Sequence, residues 1–281
     1  MKILRFASFL APSVWPTYQY ITDFVGKSLG IETDLHVGAS LDEFDAGKTD
    51  AAFICGLPYV VLADRPEPSV EPIVAPILVG HRYEGRPIYF SDVIVRHDSD
   101  VRRFTDLRGK TWAYNEPLSQ SGYGIVRHRL AEMDEDWSFF GDIVRAGYHQ
   151  TSIDLVVGGA VEAAAIDSQV LEIELGLRPE LGDQLRIIEV LGPSTIQPLV
   201  ARRGLPSALK TELREILCSF GREPAARHEL DKTLFDRFIA VDDAAYNDIR
   251  SMHERSRHLT QFKQDGPPPR REPTLRKNVG A

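Results

Sequence analysis

The segment Asn115-Glu116-Pro117-Leu118-Ser119-Gln120-Ser121-Gly122-Tyr123 carries the residue types best suited to gripping an anion. It follows a stretch that reads as a strand, Thr111 to Tyr114, and opens one that reads as a helix, about Ser121 to Met133. A helix start presents unpaired backbone N–H groups and the positive end of the helix dipole. Ser119 and Ser121 add hydroxyl donors, and Gly122 lets the backbone approach a ligand closely. Together they form a cradle for a phosphate-like or carboxylate group. The structural alternative is that Ser119 or Ser121 merely caps the helix.

Other residue types narrow the chemistry by what they lack. Cys55 and Cys218 are far apart and fit no metal-binding spacing, so two buried thiols are expected, with a single disulfide as the alternative. His36, His81, His97, His128, His228, His253 and His258 likewise form no ligand spacing, and no metal or organic cofactor is expected. Arg202 and Arg203 read as a solvated surface pair.

The elements that position the cradle follow from periodicity. Ile3 to Ala7 reads as a strand, and Pro16 suits a first helical turn. Tyr18, Ile21, Val25 and Leu29 then recur at helical spacing up to the stop at Gly30. Thr33, Leu35 and Val37 alternate as a second strand, giving a strand–helix–strand unit that favours parallel pairing. After a short helical stretch at 41–46, Ala51 to Cys55 is an apolar run expected to be buried on both faces. Further strands are expected at 73–79 and 88–95. A second set follows the turn Asp106–Lys110: strands at 111–114, 143–146, 163–166 and 185–190, with helices near 121–133, from Ser152, and at 170–175. Beyond Gly192-Pro193 come a strand at 199–202, a helix capped by Ser207 and a helix over 243–258. The Pro- and Arg-rich end, 263–281, has almost no apolar content and is expected to be disordered.

The chain's 281 residues suit two compact lobes, and its formal net charge of -8 argues against a general nucleic-acid or anionic-membrane binder. A small anion needs only local donors, so it remains an admissible ligand. No stretch approaches the roughly 20 apolar residues of a membrane span. Arg5 interrupts the apolar opening Met1 to Leu10, which predicts a buried strand rather than an export signal and hence a cytoplasmic chain.

Several motifs, in order and at closely matching spacing, resemble the phosphonate-binding components of ABC importers. Tyr89-x-Ser91 is similar to the family's Tyr-x-Ser strand, and Asp106-Leu107-Arg108-Gly109-Lys110 to its Asp-Leu-basic-Gly-Lys turn. The Ser119-Gln120-Ser121-Gly122 loop stands where the family has Pro-x-Ser-Thr-Ser-Gly, with Gln120 replacing Thr. Gly47 to Ala52 with Cys55-Gly56-Leu57-Pro58-Tyr59 matches a Gly-x-x-Asp strand and Gly-x-x-Tyr turn, and Gly158 to Leu171 matches a further Asp-Ser segment in which Glu162 replaces the first Asp. The resemblance spans about residues 1–245.

It implies an α/β, two-lobed periplasmic-binding-protein type II fold. Each lobe would have a central mixed, mainly parallel sheet flanked by helices, with a two-strand hinge. Residues 1–93 plus 196–262 would form the first lobe and 94–195 the second, crossing near Ser91–Val95 and Gly192–Gln197. It also implies a non-catalytic receptor closing on a phosphonate, phosphate or related oxyanion, with an ABC permease as partner and a periplasmic location. Ser119, Gln120, Ser121 and Gly122 would hold the anionic head, with Tyr89 and Ser91 contributing from the crossing strand. The amide at Gln120 would suit a larger or reoriented ligand.

His149 lies where the family often places a ligand-facing histidine; a helix N-terminus lets it donate to an anion, and a solvent-exposed loop position is the alternative. Asp167, after a buried strand, would sit at the cleft edge and suit an ammonium group, as in an aminoalkyl phosphonate, or else cap a helix together with Ser168. Tyr59, Trp15 and Tyr18 are candidates for the first lobe's wall or for its core, and Pro12-Ser13 for a polar contact. The rival functions are an enzyme on this fold, with His149, Asp167 and Cys55 as its reactive groups, and a cytosolic ligand sensor.

Overall fold

The computed structural model describes residues 3–10 and 14–259, so the expected disordered tail and Pro12-Ser13 lie outside the described residues. Strand β1 (Ile3–Ser8) leads to α1 (Trp15–Leu29), with Pro16 in its first turn and Gly30 closing it at φ 64°, a left-handed conformation that glycine adopts without strain. Next come β2 (Glu32–Val37), the three buried residues of β3 (Ala51–Phe53), α2 (Gly56–Ala63) and β4 (Val70–Leu78). The chain then forms β5 (Ile88–Arg96), β6 (Trp112–Tyr114), α3 (Ile125–Glu132), β7 (Ile143–Arg145) and α4 (His149–Val157). It continues through β8 (Ala163–Asp167), α5 (Ser168–Leu177), α6 (Leu181–Gln184) and β9 (Leu185–Thr195). It returns with β10 (Leu199–Arg202), α7 (Ser207–Ser219), α8 (Pro224–Asp231), β11 (Phe235–Ala240) and α9 (Asn247–Arg255).

Two sheets result. One has the order β11-β4-β10-β3-β1-β2, the other β7-β6-β8-β5-β9. Both are mixed. In the first, β1, β2, β3 and β4 run one way against β10 and β11; in the second, β5 alone runs against the other four strands. The exceptions are β5, which carries the chain out of the first lobe, and β10 and β11, which follow its return. Each sheet is covered on both faces by apolar clusters, as expected for sheets buried between helices.

The two lobes are joined along β5 and β9, which pair over most of their length. On β5, Tyr89 packs in the first lobe's core and Val93 in the second's; on the return, Leu191 belongs to the second and Ile196 to the first. The terminal segment is not confined to the first lobe as its sequence position suggests. Ile249 of α9 packs under α2, while Met252 and Leu259 pack in the second lobe's core.

Several local expectations are corrected. Cys55 to Tyr59 is the start of a helix rather than a turn, and α4 begins at His149, three residues ahead of Ser152. Ser207 is the first helical residue, not the cap. Helix α8 and strand β11 have no counterpart in the sequence reading. Arg202 is no free surface group: it pairs with the wholly buried carboxylate of Asp50 at 3.1 Å, and Arg203 donates to the Val70 carbonyl. Both cysteines are free thiols, half-buried rather than fully buried.

Candidate functional site

A cavity of about 640 Å³ lies between the lobes. Its second-lobe wall is built by strand-to-helix junctions. After β6, the chain makes one wide turn over 120–124, in which the Gly124 N–H donates to the Ser119 carbonyl at 2.8 Å, before α3 begins. Such turns of five-residue spacing tend to occur at functional sites. The Ser119 hydroxyl accepts from the Gly122 N–H at 3.0 Å, so the capping role and the cavity-lining role coexist in one side chain.

Ser121 Oγ lies 2.9 Å from His149 Nε2 and 3.4 Å from Ser119 Oγ, and Asn115 Nδ2 lies 3.2 Å from the same imidazole nitrogen. Gly122 makes this convergence possible. A Cβ there would stand 2.0 Å from Asn115 Oδ1 and 3.3 Å from His149 Cε1. His149 opens α4, so the unpaired amides of that helix's first turn lie at the same place.

Hydrogen-bonding capacity is left over. His149 Nδ1, Asn115 Oδ1 and the Tyr89 hydroxyl are buried without a hydrogen-bond partner among the described residues. Tyr89 sits behind the cavity wall with Ser121 and Cys55 as polar neighbours, neither completing a bond of good geometry, and burial raises its pKa well above the ordinary range. Burial also lowers His149 to about 4, keeping the imidazole neutral.

Asp167 lines another part of the cavity and caps α5. Its Oδ1 accepts from the Gln169 N–H at 2.9 Å and more weakly from Val170, while Oδ2 accepts from Gln197 Nε2 at 2.7 Å. Burial raises its pKa from 3.8 to about 7 against the opposing effect of these donors. Capping and cavity lining again coincide. Tyr18 stacks on Phe53 at 3.9 Å and lines the cavity, with no hydrogen bond to its hydroxyl among the described residues.

Of the residues singled out from sequence, Ser119, Ser121, His149, Asp167, Tyr18 and Cys55 are brought to the cavity wall. Six are not. Gln120 turns away: its Nε2 donates to Ser194 Oγ at 3.2 Å and approaches Met252 Sδ, and its backbone N–H meets Cys55 Sγ at 3.3 Å. Its side chain therefore packs toward the β9 crossing and Met252 and does not line the cavity, and only its backbone N–H reaches the first lobe. Gly122 and Tyr89 lie behind the wall, and Ser91 is buried in β5 opposite Asp167. Tyr59 donates to Asp243 Oδ1 at 2.6 Å and packs on Tyr246. On a helix, Pro58 and Tyr59 are turned about 100° apart, and only Pro58 reaches the cavity. Trp15 packs against the first lobe's core.

Sequence reasoning passed over Asn115, although it belongs to the same loop, and Gln197, whose position at the lobe crossing was the available signal. Among the described residues no group of three or more His, Cys, Asp or Glu could hold a metal ion, and no helix is long and apolar enough to cross a membrane.

Two mixed-sheet lobes joined by paired strands around an interlobe cavity make the fold of the type II periplasmic binding proteins. The chain belongs to the family of periplasmic substrate-binding proteins of ABC phosphonate transporters, whose model matches residues 7–246. The phosphonates-binding periplasmic protein of Escherichia coli K12 is 25% identical over 177 residues, covering 60% of this chain and 51% of that protein. The chain thus spans about half the length of this curated relative. A binding protein component of an ABC phosphonate transporter from Pseudomonas aeruginosa superposes with a TM-score of 0.79 at 19% identity, covering 91% of this chain and 86% of its own. PhnD1 from Prochlorococcus marinus, solved in complex with methylphosphonate, gives 0.80 at 18% identity, covering 92% and 99%. At these identities the structural likeness speaks for the fold.

Proposed function

We propose that this chain is a non-catalytic receptor that closes its lobes on a phosphorus oxyanion, a phosphonate or phosphate, and delivers it to an ABC permease. The observation that carries this reading is the Ser119–Ser121–His149–Asn115 cluster, which ends one side of an interlobe cavity with hydrogen-bonding capacity unused. Hydroxyls and amides can hold an anion without a full positive charge, and the neutral imidazole acquires a reason to protonate when the anion arrives. Asp167, at about 7, keeps acceptor capacity for an amino group on the same ligand.

The Ser121–His149 contact also has the form of a nucleophile and its base. It lacks what makes such a pair work. Among the described residues His149 Nδ1 has no partner to orient the ring, and an imidazole held near 4 is a poor base at neutral pH. Burial raises the Cys55 thiol as well, which disfavours the reactive thiolate.

Titration calorimetry with phosphate, methylphosphonate, 2-aminoethylphosphonate, sulfate and acetate tests the proposal. Saturable binding of the phosphorus oxyanions, with the compound recovered unchanged, is expected. Preference for acetate or sulfate, or chemical turnover of the bound compound, would overturn it.

A further inference from the structure

The cavity is far larger than the group its cradle can hold. Methylphosphonate has five heavy atoms and occupies roughly 150 Å³ at about 30 Å³ per heavy atom, the share of a water molecule in the liquid. The cavity's volume is about 640 Å³, in the range of sites that enclose drug-sized ligands. This is not the gap of fully separated lobes. Interlobe bonds already run from Gln120 N to Cys55 Sγ, from Gln197 Nε2 to Asp167 Oδ2 and from Gln169 Nε2 to the Thr233 carbonyl.

The lining is also lopsided. Away from the cradle, the Glu116–Arg145 ion pair and the polar edge at Asp167, Gln169 and Gln197, the first lobe contributes Phe9, Leu10, Val14, Val37 and Leu41, and the second adds Leu118 and Tyr148. Among the described residues the first lobe's hydroxyls there are few: Ser8 Oγ accepts from the Leu10 N–H, and Ser40 Oγ accepts from the Asp42 N–H and donates to Asp42 Oδ2. Val37, Leu118 and Tyr148 are exposed, so apolar surface from both lobes faces open space around the same cavity.

The aromatic wall is held in place. Phe9 stands 6.3 Å from Phe44, and its ring occupies the room left by Gly38, where a Cβ would come within 2.2 Å of it. A side chain at position 38 would push the ring out of that place.

From the mismatch between a small cradle and a large apolar chamber, we infer that the ligand is a phosphorus oxyanion bearing a bulky apolar substituent, with Phe9, Leu118 and Tyr148 selecting that substituent. This rests on the receptor reading above and names the ligand class of the same site. The head sits at Ser119, Ser121 and His149; the substituent displaces water from the apolar walls, which is where the added affinity arises. Small alkyl phosphonates leave most of the chamber wet.

Calorimetry on the full chain with phosphate, methylphosphonate, butylphosphonate and phenylphosphonate tests this. Affinity is expected to rise along the alkyl and aryl series, with phenylphosphonate at least tenfold tighter than methylphosphonate. Phe9→Ala should lower that phenyl-to-methyl ratio by threefold or more, a ratio within one protein that a general loss of folding does not move. A wild-type ratio below threefold overturns the inference while leaving the receptor reading standing. Failure of all four compounds to bind overturns the receptor reading itself.

Discussion

On the cradle side of the cavity His149 is held down at about 4, and beside Gln197 the carboxyl of Asp167 is held up at about 7. Burial is the leading cause of both, and neither group has an oppositely charged partner among those causes. The two differ in what surrounds them. Asp167 is met by three donors that hold back part of its shift, whereas His149 meets hydroxyl and amide groups and keeps one ring nitrogen unpartnered. Near neutrality the imidazole thus carries no charge and the carboxyl only partial charge. An anion beside the first and an ammonium beside the second would each favour the ionised form.

This contrast fixes opposite pH slopes of stability. The unfolded Asp ionises near 3.8 while the folded one waits until about 7, so Asp167 removes stability as pH rises through that window. The whole interval corresponds to about 4 kcal/mol at 1.36 kcal/mol per pH unit. The unfolded His protonates near 6.5 while the folded one waits until about 4, so His149 removes stability as pH falls through that window, by about 3 kcal/mol. Between pH 4 and 6.5 the two slopes nearly cancel. Urea unfolding of Asp167→Asn should show stability rising with pH over that range, and His149→Gln stability falling with pH. Parallel profiles for the two variants would show that the groups are not held as described.

A smaller effect separates the two halves of the loop itself. Ser121→Ala removes a hydrogen bond to a charged ligand, expected to weaken anion binding by about 2 kcal/mol, roughly 30-fold. Gln120→Ala should weaken binding less than Ser121→Ala does, because its side chain reaches Ser194 and Met252 instead of the cavity. Equal losses measured by calorimetry would place Gln120 against the ligand after all.

The smallest effect concerns the first lobe's side. Tyr59→Phe leaves Asp243 paired with Arg250 alone and should lower stability by about 1 kcal/mol, read from urea midpoints. A loss of ligand affinity exceeding that loss of stability would return Tyr59 to the binding surface.

Periodicity located most elements because it reports burial directly. The helical spacing of α1 with Gly30 at its end and the apolar runs of β3 and β8 were legible for that reason, while the alternation of β2 marked a strand of which only Leu35 is buried. The weaker elements were not. Helix α8 is short and mostly polar outside Ala226 and Leu230, and β11 does not alternate, its buried residues Phe235 and Phe238 lying three apart across a register shift, so neither pattern stands clear of its surroundings. Helix α2 was hidden by Gly56 and Pro58, residues that ordinarily punctuate turns.

The sequence by itself determined the class of chemistry: donors at a strand-to-helix junction, no metal spacing, an acidic chain, and motifs whose order resembles one receptor family. Only the tertiary structure decided which of those donors line the interlobe cavity. Adjacent residues in a turn or helix point in different directions, so Ser119 and Ser121 reach the cavity while Gln120 between them does not, and Pro58 does while Tyr59 does not. Nor does spacing along the chain reveal that position 122 must lack a Cβ for Asn115 and His149 to meet, or that Phe9 needs Gly38 beneath it. Those are contacts between segments that fold onto one another, and their distances exist only once the lobes have packed.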